Sequence, residues 1–528
     1  MNMQLEGLSL IGAARDGRSG KKFAAVNPAT GAALPGDFFC ATAAAVERAA
    51  QLAAEAFAVY SRWSGARRLE FLRRIAELLE ANAGAIVPRA NLETALPTAR
   101  LQSELARTCF QLRFYGEAAA GGLCSGARID HGDPHRQPQP KPDVRSVMRP
   151  LGPVAVFGAS NFPLAYSVAG GDTASAFAAG CPVIVKAHPA HPGTSEIVGR
   201  LIQQAARETG APEGVFSLLF DDGFDVGAAL VKHPRVKAVG FTGSRRGGRA
   251  LMDLAAARPE PIPVYAEMGS VNPVFILPGA MKAGAETIAA GLHSSVTLGV
   301  GQFCTCPGLA FIGTDPAAES FLKKLETLMS STPPGVMLTA GLRANYQSGV
   351  EKFSRAPGVR CAATGTAGEN SATQARAALL VTKAETFLKN RELMDEVFGP
   401  STLVVECVSQ AEMLEAARRL EGQLTATIHG TPEELAENRE LVEILETRAG
   451  RLIFNGFPTG VEVCHAMIHG GPYPATSDGR STSVGTRAIE RFLRPVSYQN
   501  FPEAALPAEL QETNPLRLWR LVDGVWQI

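Results

Sequence analysis

Three short runs in this chain, Gly152-Pro-Val-Ala-Val-Phe-Gly158, Pro182-Val-Ile-Val-Lys186 and Val236-Lys-Ala-Val-Gly-Phe-Thr-Gly243, are apolar at nearly every position. A strand that is apolar on both faces has to be covered on both. Each run is followed by a segment of helical spacing, at residues 163–179, at 194–210 and from Ser244 onward. This alternation restricts the chain to an α/β fold in which a parallel sheet lies between helices. The pattern returns between residues 267 and 463, with strands read at 272–277, 309–312, 402–406 and 451–455 and helices near 282–297, 316–329 and 432–446. Ligands of such sheets sit outside the carboxyl ends of the strands, so reactive residues are sought there.

The remaining segments frame these two halves. Residues 1–40 are interrupted by Gly12, Gly17, Gly20, Pro28, Gly31 and Pro35 and read as extended and turn-rich, with a turn at Asn27-Pro-Ala-Thr-Gly31. Apolar positions at helical spacing predict helices at 41–60, 66–82 and 99–120. On the last of these, Arg100, Glu104 and Arg107 share a face, which is either a solvated face with an ion pair or a cationic lining for an acidic substrate. Pro134, Pro138, Pro140 and Pro142 exclude a central strand from the region between Ile129 and Val147, which reads as a linker or edge excursion with His131 and His135 as polar loop residues. The proline-punctuated tail after Arg494, with Trp519 and Trp526, reads as an extended segment covering another surface.

A chain of 528 residues exceeds one ordinary core and implies two or three domains. Fifty-one basic residues balance fifty-one acidic ones, so no global field favours nucleic acid or an acidic membrane face, and a charged substrate would have to be met by local arginines. Met1-Asn-Met-Gln-Leu-Glu-Gly-Leu8 lacks the regions of a secretory signal and no membrane-length apolar run occurs, so a cytoplasmic protein without a membrane partner is expected. Nine cysteines, an odd number, fit reduced thiols.

Among the groups able to do chemistry, Cys304 in Gly299-Val-Gly-Gln-Phe-Cys-Thr-Cys-Pro-Gly308 is either a buried small hydrophobe or a nucleophile held within reach of a substrate. Glu267 and Asn161 weigh towards the nucleophile. Cys306 reads as a packing thiol, because C-x-C lacks the spacing of a zinc pair, and no metal is expected. Glu267 lies between an apolar strand and Gly269; burial there would raise its pKa into the range of a general base, the other reading being a loop ion pair. Asn161, in Ser160-Asn-Phe-Pro163, is a helix cap or an amide donor to an oxyanion. Lys186 ends a strand and either reaches the surface or meets an anionic ligand. Phe241-Thr-Gly-Ser-Arg-Arg-Gly-Gly248 has the character of a phosphate-binding turn, in which Gly243 permits close approach and Ser244 opens a helix with free amides.

Together these residues resemble the aldehyde dehydrogenase superfamily. Ser160-Asn-Phe-Pro163, Val185-Lys186, Phe241-Thr-Gly-Ser244, Ala266-Glu-Met-Gly269, Gly301-Gln-Phe-Cys304 and Glu396-Val-Phe-Gly-Pro400 stand in the family's order and near its spacing. The resemblance implies two doubly wound parallel-sheet domains, a nicotinamide dinucleotide-binding one from 1–124 and 151–266 and a catalytic one from 267–465. It also implies a small β oligomerisation element from 125–150 and 490–505, a C-terminal tail at 506–528, and a homodimer or homotetramer. Cys304 would be the nucleophile, Glu267 the base that activates water, and Asn161 with the backbone N–H of Cys304 the oxyanion hole. Lys186 would bind the adenosine ribose, Gly243 and Ser244 the pyrophosphate, Glu396 the nicotinamide ribose, with Ser160 and Phe398 also on the cofactor side. Alignment of Leu112-Arg-Phe-Tyr-Gly116 puts Arg107 in the aldehyde tunnel, with Phe162, Tyr166 and Phe457 as apolar walls.

Within the family, the stretches 93–102, 186–193 and 266–273 look like the branch that oxidises α-ketoglutaric semialdehyde (2,5-dioxopentanoate) to 2-oxoglutarate. Pro189 stands where many NAD-preferring members carry a glutamate, so NADP is the expected cofactor, with NAD also accepted. Ser270 and His469-Gly-Gly-Pro472 depart from the family pattern and leave the floor of the substrate site open. The rival readings are a fatty or other apolar aldehyde, should Arg107 face solvent, a thiol esterase without redox chemistry, and a non-catalytic binding protein.

Overall fold

The computed structural model describes residues 4–16, 18, 20–368 and 373–528; Met1 to Met3 and Gly17 lie outside these. The three continuous apolar runs form neighbouring strands of one seven-stranded sheet, in the order Val264–Glu267, Ala238–Thr242, Val154–Phe157, Val183–Lys186, Phe216–Leu219, Leu10–Ile11 and Ala14–Arg15. The first five are parallel and the last two form an antiparallel edge. Strand order reverses between Val154–Phe157 and Ala238–Thr242, which opens a crevice at their carboxyl ends.

A second seven-stranded sheet has the order Val359–Thr364, Ala378–Lys383, Ser401–Glu406, Leu309–Ile312, Val274–Ile276, Gln423–His429 and Ala449–Phe454, parallel except at the Val359–Thr364 edge. Its strand Gln423–His429 escapes a reading for apolar runs because Gln423, Thr425, Thr427 and His429 are polar yet buried. Ala378–Lys383 and the helices Ala340–Ser354 and Gln410–Arg419 are likewise additions to the expected set.

The N-terminal helices Ala43–Tyr60, Gly65–Ala81 and Thr98–Ala120 fall where helical spacing puts them, the first two capped by Thr42 and Ser64. A further helix, Ala83–Thr94, was not expected around Pro88. The expected helix at 163–179 is corrected to Gly171–Ala179; residues before it form turns, in which Tyr166 N–H donates to the Phe162 carbonyl (3.3 Å). The turn at Asn27 is present, with Gly31 N–H donating to the Asn27 carbonyl (2.7 Å).

The proline-rich excursion and the C-terminal tail build one five-stranded sheet, ordered Leu493–Gln499, Val144–Pro150, Arg128–Asp130, Arg520–Val522 and Val525–Gln527. This corrects the tail: instead of an extended cover it completes that sheet with a hairpin, and Trp519 and Trp526 stay exposed. No helix among the described residues is long and apolar enough to cross a membrane.

Candidate active site

Cys304 follows the helix Pro278–Thr297 and a tight turn in which Gly299, Val300 and Gly301 have φ of 56°, 60° and 64°. Val300 is β-branched and strained in this region, and its side chain is packed on the cluster of Met337, Tyr346 and Ala375. Two asparagines fasten the turn. Asn272 Nδ2 donates to the carbonyls of Cys304 (2.8 Å) and Cys306 (2.9 Å), and Asn161 Nδ2 donates to the Gln302 carbonyl (3.0 Å). Ser270 is part of this support: its hydroxyl lies 3.0 Å from Asn272 Oδ1 and 2.9 Å from Gln423 Oε1, and accepts Leu424 N–H. Cys304 is half-buried and Cys306 is buried in packing, as read from the sequence.

Glu267 ends the edge strand of the first sheet, paired in register with Thr242, so its carboxylate projects at the carboxyl end where ligands bind. Its Oε1 lies 2.9 Å from His469 Nε2, and Ser483 Oγ donates to its Oε2. The same Nε2 is 3.5 Å from Cys304 Sγ. His469 is held by Thr482, whose hydroxyl accepts its N–H (2.8 Å), and its own carbonyl accepts Ser483 N–H (2.8 Å). Sequence reasoning missed His469 as a functional residue; the signal was its place in His469-Gly-Gly-Pro472, at the departure from the family motif.

The electrostatics correct one expectation. Burial pushes the Glu267 pKa up, but the charge and proximity of His469, the Ser483 hydroxyl and the more distant Arg491 outweigh it and leave the carboxyl below its ordinary range. The Cys304 thiol goes the other way, held well above its ordinary value by burial and then by the Glu267 and Glu396 carboxylates. The free thiol is therefore protonated at neutral pH, with the His469 ring nitrogen 3.5 Å from its sulfur.

On the cofactor side, Lys186 is buried at the end of its strand, where Nζ donates to the Asp221 carbonyl (2.8 Å) and desolvation lowers its pKa. Ser244 caps the helix Arg245–Ala256, accepting Gly247 N–H (3.2 Å), and Gly243 and Ser244 are exposed at the crevice. Ser160 is half-buried after the strand Val154–Phe157. Glu396 and Phe398 line a narrow cavity with Ser270, Gly301 and Cys306. Glu396 approaches Gly269 so closely that a Cβ there would lie 2.2 Å from its Oε2. It faces the open cleft, yet the surrounding protein pushes its carboxyl up to about 7. A free helix N-terminus, a buried lysine with donors to spare and a carboxylate further along the cleft suit a dinucleotide.

On the substrate side, Phe162 and Tyr166 pack edge to face (5.3 Å) and Tyr166 stands 6.4 Å from the His469 ring. Phe457 packs on His429 (4.8 Å) and over Gly291. The Arg100, Glu104 and Arg107 face is not a solvated one, which corrects that reading: Glu104 is buried and accepts N–H from Leu164 (2.8 Å) and Ala165 (3.0 Å). Glu104 lies between the two arginines and its charge acts on Arg100, whose Nη1 has no hydrogen-bond partner. Arg107 Nη1 donates to the Val461 carbonyl, while its Nε and Nη2 are buried without a partner.

A thiol, a base and an amide donor gathered at a dinucleotide crevice define an aldehyde-oxidising oxidoreductase, and the chain belongs to the aldehyde dehydrogenase family, which it matches over residues 15–494. It is 51% identical over 523 residues, 99% of each chain, to alpha-ketoglutaric semialdehyde dehydrogenase 2 of Azospirillum brasilense. It is 46% identical over 489 residues, 92% of each chain, to the alpha-ketoglutaric semialdehyde dehydrogenase of Acinetobacter baylyi. Its fold is that of the gamma-glutamyl-gamma-aminobutyraldehyde dehydrogenase of Burkholderia cenocepacia, with a TM-score of 0.80 at 21% identity, covering 94% of this chain and 97% of that one.

Proposed function

We propose that this enzyme oxidises 2,5-dioxopentanoate to 2-oxoglutarate, with NADP as the preferred hydride acceptor and NAD as a second. The observation that carries the chemistry is one imidazole nitrogen, His469 Nε2, set between Cys304 Sγ at 3.5 Å and Glu267 Oε1 at 2.9 Å. The thiol proton passes to the Glu267–His469 pair beside the sulfur, which holds it while the thiolate reacts. The thiolate adds to the aldehyde carbon, forming a C–S bond and placing negative charge on the former carbonyl oxygen. Asn161, fixed on the nucleophile turn, and the backbone N–H of Cys304 donate to that oxygen. When bound, the nicotinamide supplies the acceptor for the hydride that leaves the tetrahedral carbon. Glu267 then takes a proton from water as it attacks the thioester, the C–S bond breaks, the leaving thiolate recovers the proton held by the pair, and the acid departs as Glu267 releases the water proton to solvent.

Arg107 supports an acidic substrate over an apolar one: its Nε and Nη2 are withdrawn from solvent without partners and fit a carboxylate bidentately. Lys186 supports NADP, since Asp221 and Asp222 are already engaged, the first by Gly223 and Val226 N–H and the second by Lys21. Rates on 2,5-dioxopentanoate and on pentanal with each cofactor test the reading. A preference for the acid with NADP is expected, and a preference for pentanal would overturn it. We also propose the domain division read from the sequence, with the 506–528 tail joined to the five-stranded sheet, and a homo-oligomer formed through that sheet, whose outer strands are Leu493–Gln499 and Val525–Gln527.

A further inference from the structure

Arg100 stands one helical repeat before Arg107, on the same face of Thr98–Ala120 and seven residues away. Its guanidinium lies 5.1 Å from the centre of the Phe162 ring and 4.7 Å from that of Phe303, the residues next to Asn161 and Cys304. Nη2 donates to the Asn161 carbonyl (2.8 Å). Nη1 is buried and has no partner. The nearest carboxylate in sequence on this face, Glu104, is committed through Oε1 to the backbone of Leu164 and Ala165. Arg100 is half-buried, with Nη1 enclosed beside the two rings that neighbour the nucleophile and the oxyanion donor; Glu104, whose Oε2 has no hydrogen-bond partner, supplies a counter-charge, and a further anion reaching Nη1 would complete the hydrogen bonds of the guanidinium.

We propose that Arg100 is a second specificity-determining contact for the carboxylate end of the substrate, acting with Arg107 so that the site selects aldehydes bearing a distal carboxylate. This rests on the acid-semialdehyde reading above. Both arginines stand on one helix face, and Glu104 between them pins that helix to the Leu164 turn. Phe162 and Phe303, edge to face at 5.3 Å, would enclose the methylene part of the chain.

The test measures kcat and KM of wild type, Arg100→Gln and Arg100→Lys on 2,5-dioxopentanoate, 5-oxopentanoate and pentanal. Loss of one charge-assisted hydrogen bond should raise KM for both acids roughly tenfold to a hundredfold more than for pentanal in Arg100→Gln, with a partial return in Arg100→Lys. An equal loss on pentanal would show that Arg100 only holds the Asn161 turn, and unchanged acid kinetics would show no contact; either result overturns the proposal. If wild type itself fails to prefer the acids, the substrate reading falls first. If wild type prefers them and Arg100→Gln keeps that preference, only the role of Arg100 falls.

Discussion

Glu267 and His469 face each other at 2.9 Å in a site where both are almost wholly withdrawn from water, and Cys304 shares the same imidazole nitrogen. Two anions in prospect, a carboxylate and a thiolate, thus compete for one proton.

The pH dependence follows from this arrangement. Burial alone would raise the Glu267 pKa, and His469 is the largest of the influences that pull it back below the ordinary range. His469→Ala removes that influence, so the Glu267 pKa should rise and the acid limb of the kcat/KM profile should move to higher pH. A drop in kcat of roughly 10²–10⁴-fold should accompany it, as for loss of a proton-transfer group. A pH-rate profile checks both, and an acid limb that stays in place would contradict the coupling.

Thiol reactivity gives a second reading of the same field. Burial and then Glu267 hold the Cys304 thiol well above its ordinary pKa, so alkylation by iodoacetamide in the absence of cofactor should be slow at neutral pH and climb as pH rises. Glu267→Gln removes the anionic part of that shift and should speed labelling of the peptide containing Cys304. Labelling rates followed by mass spectrometry decide it, and slower labelling in the variant would count against this account.

Much of this site was legible in the sequence because its parts sit where chain geometry is least ambiguous. Glu267 and Lys186 end apolar strands, Ser244 caps a helix, and Cys304 lies in a glycine-bracketed turn. What escaped were groups whose roles depend on long-range contacts. His469 reaches Cys304 across 165 positions, and Gln423–His429 reads as polar because its side chains are satisfied by residues far away in the chain, such as Asn272. The Glu267 pKa was misjudged for the same reason: burial can be read from an apolar neighbourhood, but the imidazole that offsets it arrives from more than two hundred residues away.

Asn272 should be as important to stability as to catalysis. It adopts φ of 45° and satisfies two carbonyls of the nucleophile turn. Asn272→Gly keeps the backbone conformation but leaves both carbonyls without that donor, so a loss of roughly 1–3 kcal/mol per buried group is expected in denaturant unfolding, together with a lower kcat. Unchanged stability would show that other donors replace the amide.

Cofactor preference tests Lys186. If its ammonium meets a 2′-phosphate, Lys186→Ala should raise KM for NADP roughly tenfold or more while that for NAD changes less. An equal rise for the two would place the lysine on a part they share.

Asn161 fastens the nucleophile turn through Gln302 and should matter most once charge develops on the substrate oxygen. Asn161→Ala is expected to lower kcat by roughly 10²–10³-fold, the range seen when one oxyanion donor is removed. Binding of NADP, followed by fluorescence titration, should persist, and loss of that binding would indicate a collapsed turn instead.

The most direct test of Cys304 as the covalent centre is to trap its acylated form. Glu267→Gln, slowed in hydrolysis, is mixed with 2,5-dioxopentanoate and NADP, quenched, and digested for peptide mass spectrometry. The account predicts the acyl group of the substrate on the peptide holding Cys304, and its absence when Cys304→Ser is added. Product formed without any acyl group on Cys304, or an acyl group carried by another residue such as Cys306, would contradict it.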